Sequence, residues 1–268
     1  MNNNSPFCAL TIAGSDSCGG AGIQADLKTF SAWQVEGASV LTAVTAQNTL
    51  GVDAVEIFSA DFVARQLDAV LADLPVRAAK TGMLANAAIV EALARSWSDA
   101  GRPLLVLDPV MVATSGARLL DSDAERVMIE RLLPLAALVT PNLPEAAVLT
   151  GLPADTPAEH LADALLELGC RAVLLKGGHA RSGEIEDWFV TADTRERLRH
   201  QRVEGKVHGT GCTLSAAITA GLARGEELSA VVPKAVEWLQ TLIGRRWMPI
   251  RGDLGLLPFA DRQLDPGV

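Results

Sequence analysis

One alternation constrains this chain more than any single motif. Short apolar runs of strand length end in turns rich in glycine, proline or a carboxylate, and a segment with helical spacing follows. Phe7 to Ala13, Gly37 to Ala46, Ala78 to Met83, Leu104 to Leu107, Ala137 to Thr140 and Ala172 to Leu175 read as strands. A first helix is spaced by Ile23, Leu27 and Phe30, with Gln24, Asp26 and Lys28 facing away. Ser59 reads as the N-cap of a second, which carries Val63, Leu67, Val70, Leu71 and Leu74. Ala85 to Ala100, Ser122 to Leu133, Pro157 to Leu168 and Glu227 to Arg246 follow as helices. Asp53 to Phe58 reads as an edge strand, and Trp188 to Val190 with Arg197 to Val203 as an edge hairpin turning over Thr191 to Glu196. This order predicts an α/β fold with a central, mostly parallel sheet covered by helices on both faces. The turns after its strands then open on one edge, where such sheets bind ligands. Residues 1–268 are expected to form a single domain without repeats or linkers, with 1–6 and about 258–268 loose.

Composition excludes some partners. The net charge is −9, and Arg245-Arg246 is the strongest basic cluster, so nucleic acid is not expected. An anionic substrate is compatible with that balance, because a local cradle can oppose the global charge. The polar, uncharged stretch from Met1 to Pro6 does not resemble a signal peptide. No apolar run approaches the roughly 20 residues of a membrane span. Cys8, Cys18, Cys170 and Cys212 form no C-x-x-C pair and no zinc-ligand spacing. Reduced thiols in a cytoplasmic protein are expected.

Candidate chemistry sits in the turns. His208-Gly209-Thr210-Gly211-Cys212-Thr213-Leu214-Ser215-Ala216-Ala217 runs from a glycine turn into a helix whose apolar face is Leu214, Ile218 and Leu222. The N–H groups at such a helix start suit an anion, phosphate above all. Cys212 at that mouth is expected to have a lowered pKa and to serve as base or nucleophile; a plain glycine turn packed on the core is the alternative. Gly14-Ser15-Asp16-Ser17-Cys18-Gly19-Gly20-Ala21-Gly22 brings flexible backbone to a strand end, with Asp16 as its one charge or as a cap. The Gln47 amide can read a heterocycle's donor and acceptor edge, or it is a surface turn residue. Asp108, directly after a strand and before Pro109, is a metal or acid/base position, or it caps a turn. Asn142 and Glu145 can hold hydrated magnesium or form a capping box. Lys176 can reach a phosphate or lie at an ordinary turn.

Taken together and in order, these segments resemble a known family. Gly14-Ser15-Asp16 with Gly19 to Thr29, Ala46-Gln47-Asn48-Thr49, Gly82-Met83-Leu84, Asp108-Pro109-Val110-Met111, Thr140 to Ala146, Lys176-Gly177-Gly178-His179 and His208 to Thr213 resemble the hydroxymethylpyrimidine/phosphomethylpyrimidine kinases of thiamin biosynthesis. The match runs from about residue 8 to about residue 240. It implies a ribokinase-like fold, a homodimer, and use of ATP and Mg2+. It implies phosphorylation of 4-amino-5-hydroxymethyl-2-methylpyrimidine to the monophosphate and then to the diphosphate. By matching position, Gln47 pairs with the aminopyrimidine edge, Ala21, Met83 and Val110 line the ring, Gly14 belongs to the substrate-binding set, and Asp16 lies near the substrate. Cys212 takes the place of the aspartate base of related sugar kinases, within the loop Gly209, Thr210, Gly211. Lys176 touches the transferring phosphate, with Thr210, Asp108 and Asn142 at the nucleotide. Glu145, Asn142 and Asp108 serve the magnesium network. Val207 stands where the family often has threonine, and Cys18 where it commonly has a smaller residue.

Rival readings are a pyridoxal or pyridoxine kinase of the same superfamily, a non-catalytic pyrimidine or nucleotide sensor, and a cysteine hydrolase. The hydrolase would need a second anchor beside Cys212 and His208.

Overall fold

The computed structural model describes residues 7–98, 101–112, 116, 119–177 and 183–259. In chain order the elements are β1 (Cys8–Asp16), α1 (Gly22–Ala32), β2 (Glu36–Asn48), β3 (Gly51–Ile57), α2 (Ala60–Asp73), β4 (Val76–Thr81), α3 (Ala87–Trp97) and β5 (Leu104–Leu107). Then come α4 (Ser122–Val127), β6 (Leu138–Val139), α5 (Leu143–Thr150), α6 (Ala158–Glu167), β7 (Ala172–Leu175), β8 (Glu184–Thr191) and β9 (Arg195–Gln201). The chain closes with β10 (Lys206–Val207), α7 (Thr210–Ala223), α8 (Leu228–Gly244) and β11 (Leu254–Gly255).

Nine strands form one sheet in the order β3-β2-β1-β4-β5-β6-β7-β8-β9. β2, β1, β4, β5, β6 and β7 run parallel; β3 is antiparallel at one edge, and the β8–β9 hairpin closes the other. Strand alternation sorts the core into two layers. Leu10, Ile12, Leu105, Leu107, Val173 and Leu175 face the layer that holds Leu67, Ile89 and Leu161 of α2, α3 and α6. Ala9, Val106 and Leu174 face the layer of Phe30 and Trp33 with Ala217, Val231 and Trp238 from α7 and α8. The sheet winds outward from β1 in both directions, so the crevice between the carboxyl ends of β1 and β4 is the switch point where ligands bind.

The sequence reading places most strands and helices correctly, with three corrections. Asp26 does not face away: it is fully buried. The segment after Met248 is not wholly irregular. Leu254–Gly255 pairs in parallel with Lys206–Val207, and Leu254, Leu256 and Leu257 are buried. α7 is buried on every side from Thr213 to Ala223, not along a single stripe, because it lies between the sheet and helices α1 and α8. Residues 1–6 and 260–268 lie outside the described residues, as do Gly178 and His179.

Candidate active site

The carboxyl ends of the parallel strands surround one cleft of about 840 Å3. Gly14, Asp16, Ala21, Gln47, Met83, Asp108, Val110, Asn142, Glu145, Lys176, Gly209, Thr210, Gly211 and Cys212 all line it. The structure therefore brings these candidate residues to one place, while Cys18, Asn48 and Thr49 do not line it and Gly178 and His179 lie outside the described residues.

The glycine turn after β1 is organised by Asp16. Its buried carboxylate accepts the backbone N–H groups of Cys18 (3.0 Å), Gly20 (3.0 Å) and Ala21 (2.8 Å), and its Oδ2 lies 2.9 Å from His208 Nε2. Burial works against the charge, but the His208 contact and the Ala21 and Cys18 N–H groups outweigh it and hold the carboxyl at about 2. His208 thus ties the first glycine turn to the second. Gly209 closes that seam: its φ is +75°, and a Cβ there would lie 1.8 Å from the Gly20 oxygen. Gln47 stands nearby on the far end of β2, next to a register shift against β3 at Ala46/Gln47 that re-aims the strand end. Its backbone N–H donates to Ser17 Oγ at 2.8 Å.

The other half of the cleft handles charge. Thr213 N–H makes the first intrahelical bond of α7, to Gly209 O, so the N–H groups of Thr210, Gly211 and Cys212 precede the ladder and face the cleft. A Cβ on Gly211 would sit 3.4 Å from Lys176 Nζ, so the ammonium lies against this helix start. Lys176 pairs with Asp108 Oδ1 at 3.3 Å. Burial opposes its charge, and Asp108 and Glu145 outweigh burial and hold the ammonium above the usual lysine range. Asp108 also accepts the hydroxyls of Thr140 and Ser215, both at 3.2 Å.

Asn142 and Glu145 do form a capping box. Asn142 Oδ1 accepts Glu145 N–H and Glu145 Oε2 accepts Asn142 N–H, both at 2.8 Å. The box also leaves Glu145 in the cleft lining. Burial pushes its carboxyl up, Lys176 pulls it down, Asp108 pushes it up again, and the result is about 7. Asp108 and Glu145 share one lysine as their cation. Two buried carboxylates with that deficit fit a hydrated magnesium ion, which keeps waters and needs few protein ligands.

Cys212 corrects the sequence reading. Its thiol pKa is raised to about 11: burial lifts it, the Lys80 ammonium lowers it, and Asp26 and Asp108 lift it further. The helix start does not make a thiolate in the ligand-free protein.

Sequence reasoning missed three features. Lys80 and Asp26 form a fully buried pair, with Nζ 3.0 and 3.1 Å from the two carboxylate oxygens, and Thr11 Oγ1 donates to the same carboxylate at 2.6 Å. Burial works against the Lys80 charge and Asp26 outweighs it, holding the ammonium above its usual range. Asp26 lies three residues after Ile23 and four before Phe30, so helical spacing already put it within the buried stripe. The β8–β9 hairpin contributes Ile185, Asp187 and His200 to the cleft. Asp187 accepts Gly177 N–H at 2.7 Å, and a Cβ on Gly177 would meet Glu186 O at 2.0 Å, so the hairpin packs directly on the turn after Lys176. The sequence reading considered His208 only as the histidine a cysteine hydrolase would need, not as a tie between the two glycine turns.

The sequence profile described as phosphomethylpyrimidine kinase matches residues 16–255. The chain belongs to the phosphomethylpyrimidine kinase family. Within it, the hydroxymethylpyrimidine/phosphomethylpyrimidine kinase of Rhizobium meliloti is 54% identical over 88% of this chain and 90% of its own length. That of Escherichia coli is 48% identical over 88% and 91%. Solved structures give the same ribokinase-like α/β architecture. A phosphomethylpyrimidine kinase from Clostridium difficile matches with a TM-score of 0.77 at 41% identity, over 88% of this chain and 99% of that one. A Bacillus subtilis pyridoxal kinase in complex with ADP matches with a TM-score of 0.87 at 34% identity, over 96% and 98%. The chain is therefore a phosphomethylpyrimidine kinase family member whose backbone also resembles a pyridoxal kinase.

Proposed function

We propose that this kinase transfers the γ-phosphoryl group of ATP to 4-amino-5-hydroxymethyl-2-methylpyrimidine, and then to the monophosphate so formed, in thiamin biosynthesis. One observation carries the reading: the Gln47 amide and the charge-handling group of α7, Lys176, Asp108 and Glu145 line a single cleft. Gln47 reads the heterocycle edge, and Gly14, Ala21, Met83 and Val110 form the ring's walls. The N–H groups of Thr210, Gly211 and Cys212, with Lys176, neutralise the charge on the phosphoryl group in flight. ATP supplies that group; a magnesium ion held by Glu145, Asn142 and Asp108 would neutralise its oxygens.

In the first step the hydroxymethyl oxygen bonds to phosphorus, ADP leaves and the hydroxyl proton is lost. A neutral Cys212 thiol orients that hydroxyl, and a loose transition state asks for little early deprotonation. In the second step a phosphate oxygen attacks and needs no base.

A second reading, pyridoxal kinase, is favoured by the TM-score of 0.87 to the Bacillus subtilis enzyme. The four free cysteines agree with a cytoplasmic site. No described helix is long and apolar enough to cross a membrane. Val55 and Ile57, exposed on one face of the edge strand β3, support pairing of two copies. Initial rates of ATP-dependent transfer to the pyrimidine alcohol, its monophosphate and pyridoxal test the proposal. Transfer to both pyrimidines with pyridoxal poor is expected; transfer to pyridoxal alone moves the enzyme to the second reading, and tight binding without transfer revives the sensor.

A further inference from the structure

The oxygen and nitrogen of the Gln47 amide exchange places by a half-turn about the Cγ–Cδ bond. As drawn, Gln47 Oε1 lies 3.1 Å from Thr45 Oγ1 and Gln47 Nε2 lies 3.3 Å from His208 Nε2, but the two ends differ only in which neighbours they suit. Which atom faces which neighbour decides what a ligand meets, and the neighbours' own hydrogen bonds settle it.

Thr45 has one hydroxyl proton. Its Oγ1 lies 2.9 Å from the backbone oxygen of Ser15, a group that can only accept, so the proton goes there. Toward Gln47, Oγ1 is left as an acceptor. His208 Nε2 lies 2.9 Å from the Asp16 carboxylate, which also only accepts, so Nε2 carries a proton. The opposite ring nitrogen, Nδ1, is buried with no hydrogen-bond partner among the described residues. The His208 nitrogen that faces Gln47, Nε2, is thus a donor.

We infer that the Gln47 amide is held in one orientation, its nitrogen donating to Thr45 Oγ1 and its oxygen sharing the His208 Nε2 proton with Asp16, so that His208 positions the heterocycle by fixing that polarity. The reverse orientation sets N–H against N–H at His208 and lone pair against lone pair at Thr45. Sharing one N–H between two acceptors is an ordinary three-centre bond. The outward edge of the amide then offers an N–H on the Thr45 side and an oxygen lone pair on the His208 side. An aminopyrimidine matches with its ring nitrogen toward Thr45 and its amine toward His208. A 4-oxo analogue, with a carbonyl and a ring N–H, presents the opposite order. It cannot turn over without carrying its hydroxymethyl arm away from α7.

The ligand half of this inference rests on the reading of Gln47 as the heterocycle contact; the orientation itself does not. Nitrogen-15 NMR of the ligand-free enzyme tests the orientation, with the His208 signal assigned by its loss in His208→Gln. Nε2 protonated and Gln47 amide protons close to the Thr45 side chain are expected. A bare Nε2, or Gln47 amide protons beside the His208 ring, overturns the inference whatever the enzyme phosphorylates. The ligand half is tested by KM for the 4-amino and 4-oxo hydroxymethylpyrimidines. Wild type is expected to favour the amino compound about tenfold or more. His208→Leu and Thr45→Val are expected to narrow that ratio through KM more than kcat, and His208→Gln, which keeps an N–H near the same point, to restore it. A ratio unchanged in both damaging variants overturns the role of His208. If wild type binds neither pyrimidine, the functional reading fails instead, and the NMR result still decides the orientation.

Discussion

Cys212 shows how a local rule yields to its surroundings. The helix start favours a thiolate, yet burial and the nearby Asp26 and Asp108 carboxylates raise the pKa to about 11. A neutral thiol that orients a hydroxyl matters only where a hydroxyl attacks. Cys212→Ala is therefore expected to slow phosphorylation of the alcohol by roughly 10- to 100-fold and that of the monophosphate much less. Initial rates on the two acceptors check this, and equal losses would count against it. Lys176 serves both steps alike. Its replacement by alanine is expected to cost both about 100- to 1000-fold in kcat, and a loss confined to one acceptor would remove it from the phosphate. Glu145 leads to a prediction about stability. Its carboxyl titrates at about 7 in the folded protein and at its ordinary lower value when unfolded. The fold therefore holds the proton more tightly, and stability falls as pH rises from about 4.5 to about 7. Glu145→Gln keeps the capping box and removes the charge. Its Tm advantage over wild type in ligand-free protein is expected to grow from pH 5 to pH 7 and then level off, while its kinase activity drops. A Tm difference independent of pH would show that the carboxyl is not shifted.

Among the elements, the buried pair of Lys80 and Asp26 locks α1 to β4 beneath the cleft, with Thr11 of β1 as a third anchor. Removing one partner leaves a buried charge without its counter-ion. Lys80→Met is expected to cost about 3–5 kcal/mol of unfolding free energy. Lys80→Met with Asp26→Leu is expected to recover much of it. Urea denaturation measures both, and a single variant as stable as wild type would contradict the pairing. This pair also marks where the sequence stops being legible. Strands and helices could be read because their periodicity is local, as in Leu105 and Leu107 against Val106. The burial of Asp26 could have been read from its place beside Ile23 and Phe30, but its charge turned the reading outward. Its partner could not be read, because Lys80 lies 54 residues away and only the sheet order joins them. β10 and β11 have two residues each, too few for a period to register, and they pair across the whole of α7 and α8 in the chain. The capping box at Asn142 and Glu145 is the opposite case: its local pattern was legible and is present, and the same cap at the start of α5 also lies in the cleft lining, where the proposed magnesium role would need it.

Across the whole molecule, the net charge of −9 says little about the site, and the fold supplies what composition hides. Parallel strands deliver Asp16, Asp108, Asn142 and Lys176 to one edge, and α7 starts there. Most of these residues were legible because they sit in the glycine-, proline- or carboxylate-bearing stretches at or just after a strand's carboxyl end, and a doubly covered parallel sheet leaves such stretches one place to go. The β8–β9 wall of the cleft was not, since its residues lie within strands, where spacing marks no site. The central claim is that this single cleft performs two successive transfers. Phosphorus-31 NMR of the enzyme with ATP, magnesium and the pyrimidine alcohol follows both directly. A monophosphate signal that rises and then declines as the diphosphate appears, with two ADP formed per diphosphate, is the expected result. A reaction that stops at the monophosphate while ATP remains would contradict the account.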